Sequence, residues 1–302
     1  MKEPPKYVTA AAFRRALEDR LQEIAKKEGV DLQRLRRQVA FDRLLSRLFR
    51  PAAPHQLSWV LKGGYAMELR VKTARSTKDI DLTLRTVPGG RDAVDDIRNR
   101  VVLTDLQEAA AQDSGDFFVY TVGERISDLD AAPYGGARYP VESRLDGRMF
   151  VGFHLDVGIG DAVIEPVEVV KGRDWLGFAG IESPALYMIP REQQLAEKLH
   201  AYTLPRPGSA NSRVRDLVDM MLLIQSSALR RDKVSDAIHI TFDRRRTHEL
   251  PTALPQPPTD WDQSYDALAT ECGLPRGASA AVVVLEKFLT EVGIYKAKSI
   301  KS

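Results

Sequence analysis

The chain has 302 residues, long enough for one large or two ordinary domains with a well-covered core. Its 43% hydrophobic and 28% charged content excludes a disordered chain, and a single cysteine, Cys272, excludes an internal disulfide and a cysteine-built zinc cluster. The net charge of +2 is too small to mark a nucleic-acid partner by itself, although residues 1–50 carry thirteen Lys or Arg against seven Asp or Glu.

From Thr9 to Phe49 the pattern is helical. Phe13, Leu17, Leu21 and Ile24 recur at spacings of three and four, and a second helix carries Val39, Leu44, Leu45 and Leu48. Gly29 falls where a C-cap between the two is expected, and Pro51 and Pro54 end the helical region. SWVLKGG then leads through Gly63 and Gly64 into a helix-like YAMELRV, and DIDLTLR alternates strictly, as a strand does. PGG at 88–90 marks a turn, and a helix is expected from Arg91 to Gln112. Strands follow in FFVYTVGERI, YPVESRL, MFVGFHLDVGIG and EPVEVVKG, with DGR as a hairpin turn. After Trp175 the character changes. REQQLAEKLHAYT is amphipathic, with Leu195, Leu199 and Tyr202 on one side, and helices are expected in VRDLVDMMLLIQSSA, in KVSDAIHITFDRRR and at 260–272 and 278–294. The four prolines of ELPTALPQPPTDW make that stretch a loop or linker.

The fold class expected is α/β: a core with a mixed sheet and N-terminal helices over residues 1–180, followed by a helical domain over 181–302. The opening MKEPPKYVTA lacks the apolar core of a signal peptide, and runs such as AAVVVL at 280–285 are too short to span a bilayer. A cytoplasmic protein without membrane contact is expected.

Asp79 and Asp81 raise the chemical question. Two residues apart on a strand they share a face and repel, an arrangement that a divalent cation between them would relieve. Mg²⁺ takes hard oxygen ligands, one or two of them carboxylates, and completes its shell with phosphate oxygens and water. Upstream, the Gly63–Gly64 backbone suits a close approach by phosphates at a helix start, and Lys62, Arg75, Thr77 and Lys78 add donors. Together they describe a nucleoside triphosphate (NTP) held against Mg²⁺; taken singly, DID also reads as an ordinary strand end and GG as an ordinary turn. Asp156, flanked by Leu155 and Val157 in an otherwise apolar run, is the candidate third carboxylate, whereas Asp161 after Gly160 reads as a turn residue. Lys198 could neutralise charge on a transferring phosphoryl group, and Asp216 or Asp219, three apart on one helix face, could orient that lysine or serve as base toward a hydroxyl. His55, His154, His200, His239 and His248 show no metal spacing and read as structural. Arg244–Arg245–Arg246 reads as a solvated basic turn.

GG followed by D-x-D is the signature of the DNA polymerase β-like nucleotidyltransferase superfamily. The fuller set resembles the AbiEii/AbiGii toxin family, which includes the MenT toxins: KGG at 62–64, R-x-T-x-D-I-D from Arg75 to Asp81, LDVGIGD from Leu155 to Asp161, EKLHA from Glu197 to Ala201 and RDLVDM from Arg215 to Met220. The resemblance runs in family order over residues 57–225. It implies that Asp79 and Asp81 with Asp156 hold Mg²⁺, that Gly63, Gly64 and Thr77 cradle the phosphates, and that the helical domain contributes Lys198 and Asp216, with Asp219 the alternative aspartate. It further implies a toxin paired with a cognate antitoxin encoded nearby, moving a nucleotide from an NTP to the 3′ acceptor end of tRNA and so blocking translation. Tyr65 departs from the Ser that most polymerase β-like enzymes carry after the second glycine. A small-molecule or protein acceptor, and a non-catalytic nucleotide-binding module, are the alternatives.

Overall fold

The computed structural model describes residues 6–50, 59–90, 94–130, 132–226 and 229–296. Pro51, Pro54, His55 and the start of the helix expected at Arg91 lie outside the described residues. The chain forms two compact units, one of residues 1–66, 76–160 and 168–188, the other of 67–75, 161–167 and 189–302.

The first unit opens with α1 (Ala10–Glu28) and α2 (Leu32–Leu48). Thr9 caps α1 by accepting from the Ala12 N–H at 3.3 Å, and Asp31 caps α2 by accepting from Arg34 at 2.8 Å. Gly29, at φ 66°, ends α1 in the left-handed conformation that a C-cap demands. Phe13, Leu17 and Leu21 form the buried face of α1. In α2 the buried Phe41 packs edge-on to Tyr65 and Phe153, at ring distances of 4.9 and 4.8 Å.

Beneath these helices lies a mixed sheet of β1 (Trp59–Lys62), β2 (Asp79–Leu84), β3 (Phe118–Val122), β4 (Ser127–Asp128), β5 (Gly136–Leu145), β6 (Arg148–Ile159), β7 (Glu168–Lys171) and β8 (Ala185–Met188). The spatial order is β3-β5-β6-β2-β1-β8-β7, with β4 also on β5. β2 runs parallel to β6 and β1 parallel to β8; the other pairs are antiparallel. The expected DGR turn closes the β5–β6 hairpin. Asp146 and Gly147 both adopt positive φ, 55° and 67°, which matches the twist of the two strands. A helix α3 (Gly63–Arg70) follows β1, and α4 (Asp95–Ala110) follows β2. SPALYMIP, which reads in sequence only as a lead-in to a helix, supplies β8.

The second unit holds α5 (Arg191–Thr203), α6 (Val214–Gln225), α7 (Arg231–Arg245), α8 (Trp261–Cys272) and α9 (Ala278–Glu291). Leu195, Leu199 and Tyr202 bury the expected face of α5 in an apolar cluster that also holds Leu217, Val218 and Met221 of α6 and Ile238 of α7. Met67 and Ala74 belong to the same apolar cluster, so segment 67–75 is part of the helical core. The proline-rich stretch before α8 forms neither helix nor strand.

Candidate active site

Alternation on β2 turns Ile80 and Leu82 into the core and leaves Asp79 and Asp81 on the opposite face, each half-buried. The register then assembles a row of charges across four strands. Lys62 on β1 stands opposite Asp81, Asp81 beside Asp156 on β6, and Asp156 opposite Arg138 on β5. One step along, Asp79 lies beside His154. Asp79, Asp81 and Asp156 are therefore brought onto one face of one sheet. His154 Nδ1 is 3.2 Å from Asp79 Oδ1. Arg138 donates to both Asp156 oxygens, Nε to Oδ1 and a terminal nitrogen to Oδ2, each at 2.7 Å.

The double glycine has a steric reason. Gly63 sits at φ 66°, and a Cβ built on it would stand 1.9 Å from Asp81 Oδ2 and 2.7 Å from Asp81 Cβ. Rotating the carboxylate would not clear a clash with its own Cβ. On Gly64 a Cβ would stand 2.6 Å from Thr77 Oγ1, and the Gly64 N–H points at Asp81 Oδ2 at 3.4 Å. The backbone thus lies directly against Asp81, which only glycine permits. Tyr65 is turned inward: its hydroxyl donates to Asp42 Oδ1 at 2.6 Å.

In the helical unit, Lys198 of α5 reaches two aspartates of α6, Asp219 at 2.6 Å and Asp216 at 3.1 Å. Arg75 forks onto Asp219 as well, at 2.8 and 3.1 Å. Lys198 and Asp219 are buried, so the solvated-charge reading available to each in isolation does not apply. Burial works against the Lys198 charge, but Asp219 and Asp216 outweigh it and hold the pKa above the usual lysine value. Both Asp219 oxygens are engaged by cations. Asp216 keeps 15% of its side-chain surface exposed.

Several residues carry more than their sequence context signals. Asp161, expected as a turn residue, is buried and accepts from Arg245 Nε at 2.8 Å, and Arg245 also reaches Glu197 at 3.5 Å. Arg245 is therefore not part of a solvated turn: a buried carboxylate needs its charge. His200, beside Arg245 and His248, is held neutral, its pKa pushed down to about 3 by burial and then by those neighbours. Of the carboxylate row's neighbours, the sequence reading leaves Arg138 unmentioned and takes His154 as structural only. Their only signal is cross-strand register, which has no local motif.

For Mg²⁺ the row offers Asp79 and Asp81, hard oxygens on one face with the Gly63–Gly64 backbone beside them. That donor set fits an ion completed by phosphate oxygens and water. Among the described residues no group of three or more His, Cys, Asp or Glu is arranged to hold a metal. Asp156, the third carboxylate, is occupied by Arg138.

The description of one protein family, the nucleotidyl transferase AbiEii toxin of type IV toxin–antitoxin systems, matches residues 43–281. The chain belongs to that family. This family of nucleotidyltransferase toxins spans both units, including Asp79, Asp81, Asp156, Lys198, Asp216 and Asp219. Among solved structures the chain is similar to MenT4, a nucleotidyltransferase toxin from Mycobacterium tuberculosis H37Rv, at 17% identity over 95% of this chain and 97% of that one, with a TM-score of 0.48. It is also similar to the Megavirus polyadenylate synthase at 11% identity over 89% of this chain and 45% of that one, with a TM-score of 0.29. No curated protein sequence matches. Among the described residues no helix is long and apolar enough to cross a membrane.

Proposed function

We propose that this family member is a Mg²⁺-dependent nucleotidyltransferase that moves a nucleoside monophosphate from an NTP to the 3′ acceptor end of tRNA, blocking translation until a cognate antitoxin counters it. The observation that carries the chemistry is the Asp79–Asp81 pair with the Gly63 backbone pressed against Asp81.

In this reading Asp79 and Asp81 bind the ion, and Lys62, the Gly63–Gly64 backbone and Thr77 hold the triphosphate. The bound Mg²⁺ supplies charge neutralisation to the phosphates. The acceptor 3′-oxygen bonds to the α-phosphorus, the bond from that phosphorus to the bridging oxygen breaks, and pyrophosphate leaves. Lys198, kept cationic by Asp219 and Asp216, balances the developing negative charge, and the partly exposed Asp216 takes the hydroxyl proton. Arg75 and Asp219 act as positioning residues, because each holds the other and Asp219 holds Lys198. Catalysis on these terms is positioning plus charge stabilisation.

A second reading keeps the chemistry and changes the acceptor to a small molecule. It gains support from Arg43 and Arg47, two of the cations that make the N-terminal region basic. Both are buried on Asp116 rather than displayed to a polyanion.

The deciding experiment incubates the protein with total tRNA, Mg²⁺ and each α-³²P-labelled NTP in turn, beside Asp81→Ala. Label on tRNA that disappears in the variant is expected. Absence of label with every NTP, from folded wild-type protein, would reject tRNA as acceptor, and label in a small-molecule extract would then favour the second reading. Lys198→Met is expected to lower kcat by about 10²–10³-fold, the usual cost of losing one charge-stabilising group. A loss confined to KM would remove Lys198 from that role.

A further inference from the structure

Arg138 is delivered to Asp156 by the sheet itself. Ala137 and Tyr139, its neighbours on β5, are buried on the opposite face and lock the register that sets Arg138 opposite Asp156. The guanidinium engages both Asp156 oxygens in a planar fork and comes within 4.0 Å of Asp79 Oδ2. It therefore occupies the side of the row where a second divalent ion would have to bridge Asp156 to its neighbours. Such an ion would displace the fork and lie beside a fixed positive charge.

We infer that Arg138 takes the place of a second divalent cation at Asp156, so that the row binds a single ion, at Asp79 and Asp81. This rests on the Mg²⁺ role proposed above. Asp156 is then a positioning residue, holding Arg138 rather than ligating metal, and Arg138 is the built-in cation of the site.

The test is a Mn²⁺ titration of the full chain, with free Mn²⁺ followed by electron paramagnetic resonance. Wild type should bind one ion, lost in Asp79→Asn. Asp156→Asn should still bind one. Arg138→Gln should admit a second ion, and Arg138→Lys, which keeps the charge, should not. Two ions on wild type, with one lost in Asp156→Asn, would overturn the inference and leave the Mg²⁺ reading standing. A folded Arg138→Gln that still binds one ion would overturn it as well. No ion on wild type would overturn the Mg²⁺ reading and this inference together. Should Arg138→Gln fail to fold, Asp156→Asn decides the matter alone.

Discussion

Gly63 and Asp81 are eighteen residues apart in number and touch in space. Gly63→Ala must accommodate a Cβ at 1.9 Å from the Asp81 carboxylate and at positive φ, where a side chain costs about 1–2 kcal/mol. Displacement of Asp81 is the expected outcome, read as loss of Mn²⁺ binding and of nucleotide transfer with the far-ultraviolet circular dichroism retained; retained Mn²⁺ affinity would contradict it. Asp42 gives a different residue-level signature. Burial pushes its pKa from 3.8 up to about 6, only partly offset by hydrogen bonds from Tyr65 and Trp175 and by Arg43. The folded state therefore holds the proton more tightly than the unfolded one, so this contribution is present below pH 4 and lost as pH rises through 6. Urea unfolding of wild type and Asp42→Asn between pH 4 and 7 should show wild type losing about 3 kcal/mol relative to the variant. A flat difference would place the Asp42 pKa in the ordinary range. The carboxylate pair was legible in the sequence because alternation over DIDLTL fixes which side chains share a face. Arg138 was not, because its position opposite Asp156 depends on how β5 pairs with β6, and Asp161 was not, because its partner Arg245 lies far along the chain.

Helix α2 shows how a basic stretch is consumed by structure. Asp116, fully buried, accepts from Arg43 Nε at 2.7 Å and from Arg47 at 2.7 and 2.9 Å. Burial works against the Asp116 charge, but Arg47 and Arg43 outweigh it and hold the pKa below the usual carboxylate value. Asp116→Ala leaves two guanidiniums in the core without their carboxylate, an expected loss of about 3–5 kcal/mol in urea unfolding. A loss below 1 kcal/mol would mean that water reaches the pair. The same network weakens as pH falls through the depressed Asp116 pKa, opposite in sign to Asp42. Elements with strong periodicity, α1, α2, α5 and α6, stand where the spacing of their apolar residues places them. β8 does not announce itself: four residues between prolines carry too short a pattern, and pairing with β1 and β7 makes them a strand.

Sequence order and spatial grouping part company at the scale of the molecule. The helical unit takes in residues 67–75 and 161–167, each embedded in stretches that otherwise build the sheet. Composition along the chain carries no mark of this, since segments of seven to nine residues are too brief to shift it. Residues 189–302 expressed alone would lack the buried Met67 and Ala74 and the Arg75 that pairs with Asp219. The fragment is expected to give a poorly dispersed ¹H–¹⁵N spectrum, and a native-like spectrum would show that the two short segments are dispensable. The interleaving also constrains inheritance. A single genetic crossover between two divergent relatives, placed anywhere between residues 62 and 189, would pair the helices of one parent with at least one inserted segment of the other or split the sheet. Functional chimeras of such toxins should therefore be recovered only when all three segments travel together, so the two units are expected to diversify as one lineage and not as exchangeable modules.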